Sequence, residues 1–350
     1  MDEVSKGRVK SKLVAGAGGF IGGHLAKSLA RQGHHVLAVD IKPLSDWHQA
    51  LPYENITRRS WDLEGKDKCY QAVQGCDAVY NLACNMGGIG FIERNKALCM
   101  QSVLINTHLL MACRDLAVRE YFYASSACVY NREKQQDANA PPLTESDAYP
   151  AMPDDGYGWE KLFSERMCRD FSEHYGIIAR IARLHNVYGP YGAYEGGREK
   201  APAALCRKVI EAEISGNHEI EIWGDGEQTR SFMYIDDCLA GIQKLMATHC
   251  TEPLNLGRND PMSINDFVTL IEKIARIKLE RKYDPTAPQG VRGRNSDNTK
   301  IKEVLNWEPR IDLKIGLPKT YAWIKRDITQ KTHRSPLPLH AMAQKPLSAE

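Results

Sequence analysis

A glycine-rich turn near the start of the chain constrains the fold more than any other segment. The run "KLVAGA" (residues 12–17) has the composition of a buried strand, and "FIGGHLAKSLARQG" (20–33) has the apolar spacing of a helix that ends at Gly33. The glycine-rich segment "GAGGFIGG", residues 16–23, joins the end of the first run to the start of the second. A strand that passes into a helix through so short a turn is the first half of a βαβ unit.

The same alternation of strand and helix continues to about residue 180. Strand-like runs "HHVLAVD", "CDAVYNLA", "REYFYASS" and "IIARIARL" alternate with helical patterns such as "SVLINTHLLMACRDLA" and "YGWEKLFSERMCRDFSEHYG". Such alternation predicts a parallel sheet covered by helices on both faces. We therefore predict an α/β fold, a Rossmann-type doubly wound parallel sheet with a smaller mixed α/β C-terminal substrate lobe.

Composition excludes several classes of protein. The formal net charge is +2 for 350 residues, which gives no general basic field for nucleic acid. The ten cysteines include no CxxC pair, and a core of this size needs no disulfide framework. No apolar run reaches the roughly 18 residues of a membrane helix, and "MDEVSKGRVKSK" contains no apolar signal segment. We expect a cytoplasmic protein with reduced thiols, without a metal site and without nucleic-acid or membrane partners.

The glycine turn and Asp40 together predict a dinucleotide site. The backbone of such a turn approaches a pyrophosphate, to which the following helix offers free N–H groups. Asp40 ends the second strand, where a carboxylate accepts hydrogen bonds from ribose hydroxyls and repels a 2′-phosphate. This favours NAD, with NADP left open by the nearby Lys42; Asp62 is equally compatible with the adenine edge and with a surface turn. The predicted cofactor residues are Gly16, Gly18, Gly19, Phe20, Ile21, Gly22, Asp40, Asp62, Tyr157 and Lys161.

Three side chains further along form a pattern that is typical of hydride chemistry. Tyr157 and Lys161 lie four residues apart, on one face of the predicted helix. The lysine ammonium favours the phenolate of a tyrosine whose ordinary pKa is about 10. The phenolate can then take a hydroxyl proton while hydride leaves the same carbon, and Ser126, at a strand end, is placed to hold that hydroxyl. A YxxxK pattern on its own is common by chance. Its position after a glycine turn and a strand-end serine, in that order, supports the catalytic interpretation.

Because the glycine turn, the serine and the YxxxK pattern follow one another in this order, residues 10–325 resemble the extended short-chain dehydrogenase/reductase family of nucleotide-sugar enzymes. The resemblance implies that Ser126, Tyr157 and Lys161 transfer hydride at C4 of a sugar. We predict an NAD-binding domain over residues 1–185 with a return segment around 220–250, a nucleotide-sugar lobe over 186–330, and a disordered tail over 331–350.

Cys128 and Lys200 are candidates for acid–base chemistry beside a 4-keto sugar. A thiol with an ordinary pKa of about 8.5 can be tuned to remove the acidic proton next to such a ketone. Most free cysteines, however, are small buried apolar residues. Lys200 precedes a helix that Pro202 opens, so the helix dipole should lower its pKa. The alternative for Lys200 is an ordinary exposed loop lysine.

Long runs narrow the resemblance to the GDP-mannose 3,5-epimerase family. They include "YASSACVY", "NMGGIGF", "LHNVYGPYG", "GGREKAPAALCRK", "WGDGEQTRSF" and "GVRGRNSDN". The resemblance implies that Cys128 and Lys200 are an acid–base pair that inverts C5 and C3 of GDP-D-mannose, with bound NAD regenerated in each cycle. The products would be GDP-L-galactose and GDP-L-gulose. Cys84 and Asn85 stand where an Ala–Asp pair is expected, which puts the rim of the sugar pocket in doubt.

The resemblance also implies which residues bind the GDP-sugar substrate. It further implies that the protein is a homodimer. It places a phosphate-binding arginine in "VRGRNSDN", with Arg294 preferred over Arg292. The dimer would pair two long helices of each subunit. Two alternatives remain: a 4-epimerase acting on another nucleotide sugar, and an NAD-binding sensor, against which the retained Tyr–Lys pair argues. The predicted substrate-binding residues are Met86, Gly87, Gly88, Ser126, Asn186, Lys200, Lys208, Gln228, Arg230, Arg292 and Arg294.

Overall fold

A computed structural model of the chain describes residues 10–47, 49 and 53–334. Within these residues, seven parallel strands form the central sheet, in the spatial order β11-β6-β5-β4-β1-β2-β3. The chain leaves β1 in one direction through β2 and β3 and returns to its other side at β4, which makes the crevice between β1 and β4 a topological switch point. The sheet strands are β1 (Ser11–Ala15), β2 (His35–Asp40), β3 (Ile56–Ser60), β4 (Ala78–Asn81), β5 (Glu120–Ser126), β6 (Ile178–Leu184) and β11 (Leu254–Leu256).

Helices cover both faces of this sheet, as the sequence predicts. Successive residues of β1 face opposite sides: Val14 packs with one apolar cluster, and Leu13 and Ala15 pack with the other. The first cluster includes α1 (Phe20–Arg31) and α8 (Ile235–Met246). The second includes α2 (Lys66–Val73), α5 (Val103–Asp115) and α6 (Asp155–Tyr175). The Rossmann-type α/β fold is confirmed.

A smaller mixed lobe follows β6, and the chain returns from it once to the sheet. In the lobe β8 pairs with β13, and β9 pairs with both β12 and β14. The return runs through α8, which packs on α1, and β11, which pairs with β6. The remaining elements are α3 (Ile89–Arg94), α4 (Lys96–Gln101), β7 (Val187–Tyr188), α7 (Ala201–Ser215), β8 (Glu219–Trp223), β9 (Thr229–Arg230), β10 (Met233–Tyr234), β12 (Met262–Ser263), α9 (Ile264–Ala275), β13 (Glu280–Asp284), β14 (Gly293–Arg294), α10 (Thr299–Leu305) and α11 (Leu313–Arg334).

The predicted domain limits stay a prediction, with one difference at the C-terminal end. Helix α11 continues to Arg334, so residues 331–334 of the predicted tail are helical. The rest of that tail, residues 335–350, lies outside the described residues. In the part of the chain that the structure describes, no helix combines the length and the apolar character needed to span a bilayer.

Candidate active site

The turn from β1 into α1 has a geometry that excludes larger residues. Gly16 has a φ of +83°, and a Cβ on it would lie 2.8 Å from the backbone of Leu82, just after β4. A Cβ on Gly22 would lie 2.2 Å from the carbonyl oxygen of Gly16. The N terminus of α1, with Phe20 and Ile21 in its first turn, is therefore held close to the switch-point crevice. This is the backbone approach that a pyrophosphate needs.

Asp40 lies beside this turn. Its carboxylate accepts hydrogen bonds from the backbone N–H of Gly18 and of Lys42, each at 3.0 Å. A carboxylate has about four lone-pair positions, so acceptor sites remain for ribose hydroxyls. The turn and the carboxylate together fit NAD. Asp62 instead accepts a hydrogen bond from the backbone N–H of Glu64 at 2.9 Å, in the turn after β3, and its adenine contact stays a prediction.

Ser126, Tyr157 and Lys161 meet at the carboxyl end of β5. Tyr157 and Lys161 occupy successive turns of α6 and are buried. The Lys161 Nζ lies 5.7 Å from the centre of the Tyr157 ring and 4.7 Å from that of Tyr123. Burial raises the pKa of Tyr157 well above its ordinary value, and a hydrogen bond with Ser126 opposes this only in part. Formation of the phenolate thus depends on positive charge in the pocket, which Lys161 supplies.

Cys128 lies in the 3-10 turn that directly follows β5. Its backbone N–H donates to the Oγ of Ser126 at 3.2 Å, which fixes the two side chains relative to each other. Its sulfur accepts a hydrogen bond from Nη1 of Arg294 at 3.4 Å. Reactive cysteines are found in such partly exposed, electropositive surroundings. The contact supports a chemical role for Cys128, which stays a prediction.

This contact differs from the expectation that Arg294 holds the diphosphate. The Nε of Arg294 donates to Gln135 at 2.6 Å, and its Nη2 pairs with Asp154. All three guanidinium nitrogens thus have protein partners, and the side chain is buried. Arg292, two residues earlier, lines a cavity of about 450 Å³ and pairs with Asp225 near the surface. The resemblance prefers Arg294, whereas Arg292 is the one of the two that lines this cavity. Which of them holds the diphosphate stays a prediction.

Lys200 stands at the end of a loop that packs on another loop near the switch point. Gly88 donates its N–H to the carbonyl oxygen of Arg198 at 3.2 Å, and a Cβ on Gly88 would lie 2.3 Å from the carbonyl oxygen of Glu199. Arg198 in turn donates to the carbonyl oxygen of Met86 at 3.1 Å. We call residues 86–88 and 196–200 the loop clasp. It ties the predicted sugar-contacting glycines, Gly87 and Gly88, to the lysine.

Burial governs the charge of Lys200. It lowers the pKa of the ammonium, while the nearby sulfurs of Cys128 and Cys84 act in the opposite direction. Lys200 lies beside Gly88 in the loop clasp, and Met86 of the same clasp packs in one apolar cluster with Cys84, Cys128 and Tyr157. No carboxylate pairs with Lys200 among the residues that the structure describes. An amine that releases its proton more readily than usual suits a group that gives and takes protons near neutral pH.

One polar side chain at the 450 Å³ cavity lacks a partner on one atom: the Oε1 of Gln228 is buried and has no hydrogen-bond partner within the described residues. Arg230 does not line this cavity. It donates to the backbone carbonyls of Thr229 and Val291, at 2.7 and 2.6 Å. Burial, together with the neighbouring Arg294, lowers the pKa of Arg230 to about 9. The substrate contact of Arg230 stays a prediction.

Two other predicted substrate residues have different partners. The amide of Asn186 donates to the carbonyl oxygen of Ser231 at 3.1 Å, and its φ is +36°. Lys208 pairs with Glu221 at 2.9 Å, between α7 and β8. Neither lines the cavity, and their phosphate contacts stay predictions.

Several residues of this site carry only weak signals in the sequence. Gln135 and Asp154, which hold Arg294, belong to no recognisable motif. Glu160 lies at a variable position of the YxxxK pattern. Burial raises the pKa of Cys84, and the nearby Lys161 acts in the opposite direction.

The ten cysteines divide into two groups. Burial raises the pKa of nine of them above the ordinary value, so their thiols stay protonated at neutral pH. These nine are Cys69, Cys76, Cys84, Cys99, Cys113, Cys168, Cys206, Cys238 and Cys250. The tenth cysteine, Cys128, differs in its surroundings, because its sulfur contacts the guanidinium of Arg294.

Comparison with known proteins agrees with this geometry. Residues 12–257 match the model of the NAD dependent epimerase/dehydratase family. GDP-mannose 3,5-epimerase 1 of Oryza sativa subsp. japonica is 44% identical over 91% of this chain and 82% of its own length. GDP-mannose 3,5-epimerase of Arabidopsis thaliana is 43% identical over 91% of this chain and 83% of its own.

Solved structures share the fold at lower sequence identity. UDP-glucose 4-epimerase of Thermotoga maritima with UDP-glucose has a TM-score of 0.81 and 24% identity, and covers 91% of this chain and 99% of its own. UDP-glucuronic acid 4-epimerase of Bacillus cereus, in complex with UDP-glucuronic acid and NAD, has a TM-score of 0.77 and 24% identity, with 90% and 99% covered.

Proposed function

This chain belongs to the NAD dependent epimerase/dehydratase family, and on that premise we propose that it converts GDP-D-mannose to GDP-L-galactose and, when C5 alone is inverted, to GDP-L-gulose. One observation carries the proposal. A thiol in contact with a guanidinium packs in one cluster with Tyr157, and the loop clasp that packs on this cluster carries a half-buried lysine, Lys200, with no carboxylate partner among the described residues. A 4-epimerase requires Tyr157 and Lys161 but has no need of the thiol or of Lys200.

The chain's own residues account for the proton movements. The glycine turn and Asp40 would hold NAD, which would supply reversible hydride transfer at C4. Tyr157 takes the C4 hydroxyl proton and gives it back at the end, while Ser126 orients the hydroxyl. The C4 ketone acidifies the hydrogens on C5 and C3. Cys128 as thiolate removes such a proton, and Lys200 as ammonium adds one to the opposite face of the carbon, which inverts it. A proton then passes from the thiol back to the amine, so both groups are restored.

The nucleotide would lie in the 450 Å³ cavity. Arg292, which lines this cavity, supplies positive charge to the diphosphate, and the unpartnered amide oxygen of Gln228 can accept a hydrogen bond from the nucleoside. NAD as the cofactor is supported by the glycine turn, by Asp40 and by the family. Ten free cysteines support a reducing, cytoplasmic setting.

The experiment is turnover of GDP-D-mannose in heavy water. We expect GDP-L-galactose and GDP-L-gulose, with solvent deuterium at C5 and C3. Failure to form either product while NAD is bound would contradict the substrate assignment, and deuterium at neither carbon would contradict enolisation. The variant Cys128→Ala should retain hydride transfer and lose deuterium uptake. Full activity of that variant would instead favour a 4-epimerase.

We also propose a homodimer, supported by an apolar surface on α4, α5 and α6. Met100, Leu104, Trp159 and Phe163 are exposed on these helices, which pack against one another. A second copy that presents the same surface would cover them. Light scattering should show a dimer for the wild type and a monomer for the double variant Trp159→Asp/Phe163→Asp. A monomeric wild type would contradict the proposal.

A further inference from the structure

We propose that Glu160 is a positioning residue of the hydride-transfer centre: its carboxylate holds the Lys161 ammonium in place and in its charged form beside Tyr157. The inference rests on the proposed function for the reaction that is followed, and on the contacts of α6 for everything else. It adds an acidic group to a centre in which serine, tyrosine and lysine alone have had roles.

The two side chains are in contact although they are neighbours in sequence. Glu160 Oε2 lies 3.6 Å from the Nζ of Lys161, and the two side chains are 1% and 3% exposed. Consecutive residues of a helix normally point in different directions. Here both are packed against β5, where the ring of Tyr123 lies 4.7 Å from the Lys161 Nζ. Water cannot solvate either charge at this exposure, so each depends on the other.

One oxygen of the Glu160 carboxyl group is held by two hydroxyl groups. This oxygen, Oε1, accepts from the hydroxyl of Tyr123 at 3.1 Å and from the Oγ of Ser164 at 2.9 Å. The other, Oε2, has no hydrogen-bond partner within the described residues. It is the oxygen that lies 3.6 Å from the Lys161 Nζ. The two hydroxyls therefore orient the carboxyl group with its second oxygen toward the lysine.

Glu160 supplies the negative charge that Lys161 needs. The groups facing Lys161 are Cys84 after β4, Tyr123 on β5, and Tyr157 and Glu160 on α6, with Cys168 further along the helix. Burial acts to lower the pKa of Lys161; Cys84 and Glu160 act to raise it, and Glu160 is the carboxyl group of the two. Burial also raises the pKa of the Cys84 thiol and of the Tyr123 and Cys168 side chains, so these groups stay neutral.

The next carboxylate on the helix is directed elsewhere. Glu165 is 2.8 Å from Arg183 and also accepts a hydrogen bond from Ser125. It is therefore a matched control: a buried glutamate on α6 whose charge is compensated by another residue.

The variant Glu160→Gln removes the charge and keeps the shape. An opposite charge within roughly 4–6 Å is worth about 1–3 pKa units. We expect Lys161 to lose its proton about 1–3 pH units lower, and the alkaline limb of the kcat profile on GDP-D-mannose to move by the same amount. KM should change less than kcat, because Lys161 acts on Tyr157. Glu160→Asp keeps the charge one methylene further away and should show a smaller shift.

A second measurement does not depend on turnover. Competitive acetylation with acetic anhydride over a pH series, followed by peptide mass spectrometry, reports the fraction of Lys161 that is deprotonated. Glu160→Gln should make Lys161 reactive at lower pH, and Glu165→Gln should lower stability without moving either profile. Wild-type profiles for both kcat and acetylation in Glu160→Gln, or in Glu160→Asp if the first variant does not fold, would overturn the inference. A wild type inactive on GDP-D-mannose would count against the proposed function alone, and the acetylation profiles would still decide the role of Glu160.

Discussion

Replacing Arg294 with glutamine tests which group this guanidinium serves. It contacts the Cys128 sulfur at 3.4 Å, and its side chain is 8% exposed, so water screens the contact little. A hydrogen bond to a charged group contributes about 1.5–3 kcal/mol. If Arg294 stabilises the thiolate, its loss should slow proton removal from C5 and C3 by about 10- to 150-fold. The sign follows from the charge: without the guanidinium, less of the sulfur is in the reactive form.

The assay compares two steps in one enzyme. Deuterium uptake at C5 and C3 from heavy water reports proton removal, and the absorbance of reduced cofactor reports hydride transfer at C4. Arg294→Gln should slow the first far more than the second. Arg292→Gln is the control, because this residue is 33% exposed and lines the cavity; it should raise KM and leave deuterium uptake unchanged. Unchanged uptake with a raised KM in Arg294→Gln would refute the reasoning and return Arg294 to the diphosphate.

Three further outcomes are expected. Gly88→Ala would place a Cβ 2.3 Å from the Glu199 carbonyl oxygen, and the resulting shift of the loop clasp should slow epimerisation on the order of 100-fold in a turnover assay. Lys200→Met should abolish epimerisation and raise the melting temperature at neutral pH: burial lowers the pKa of Lys200, so the folded state is penalised below that pKa and relieved as pH rises toward the unfolded value. Glu165→Gln should lower the free energy of unfolding in urea by about 3–5 kcal/mol, because Arg183, 2% exposed, loses its carboxylate.

Each of these has an outcome that would contradict it. Normal turnover by Gly88→Ala would mean that the clasp does not position the lysine. A Lys200→Met enzyme that melts at or below the wild-type temperature at every pH would show that the ammonium is not penalised in the fold. If Glu165→Gln lowers the free energy of unfolding in urea by less than about 1 kcal/mol, the Glu165–Arg183 pair contributes no more to stability than a surface ion pair.

The architecture was predictable because its signals are local. The strand-like apolar runs, the glycine spacing after β1 and the four-residue spacing on α6 each depend on residues close in sequence. The strand ends then bring Ser126 and Cys128 to the same edge as the glycine turn without further information. For the same reason the prediction of Tyr157 and Lys161 as neighbours on one helix face needed no tertiary contact.

What the sequence could not supply depends on contacts between distant segments. Arg294 and Cys128 are 166 positions apart, and backbone hydrogen bonds from Arg292 to Gln135 and from Leu143 to Asn295 hold the arginine's segment near the sulfur. The spacing of "VRGRNSDN" does not reveal which arginine turns inward. The protonation of Tyr157 follows burial depth, which no local pattern encodes. The pairing of Glu160 with Lys161 runs against the usual directions of adjacent helix residues.

The different surroundings of the ten thiols should allow one of them, Cys128, to be alkylated selectively. Nine sulfurs are held in a form that reacts poorly with alkylating reagents, while Cys128 has a guanidinium beside it. One equivalent of a small iodoacetyl compound should therefore label Cys128, so that the amount of label gives the number of active sites in a preparation. A bound GDP-sugar should protect Cys128 from the reagent.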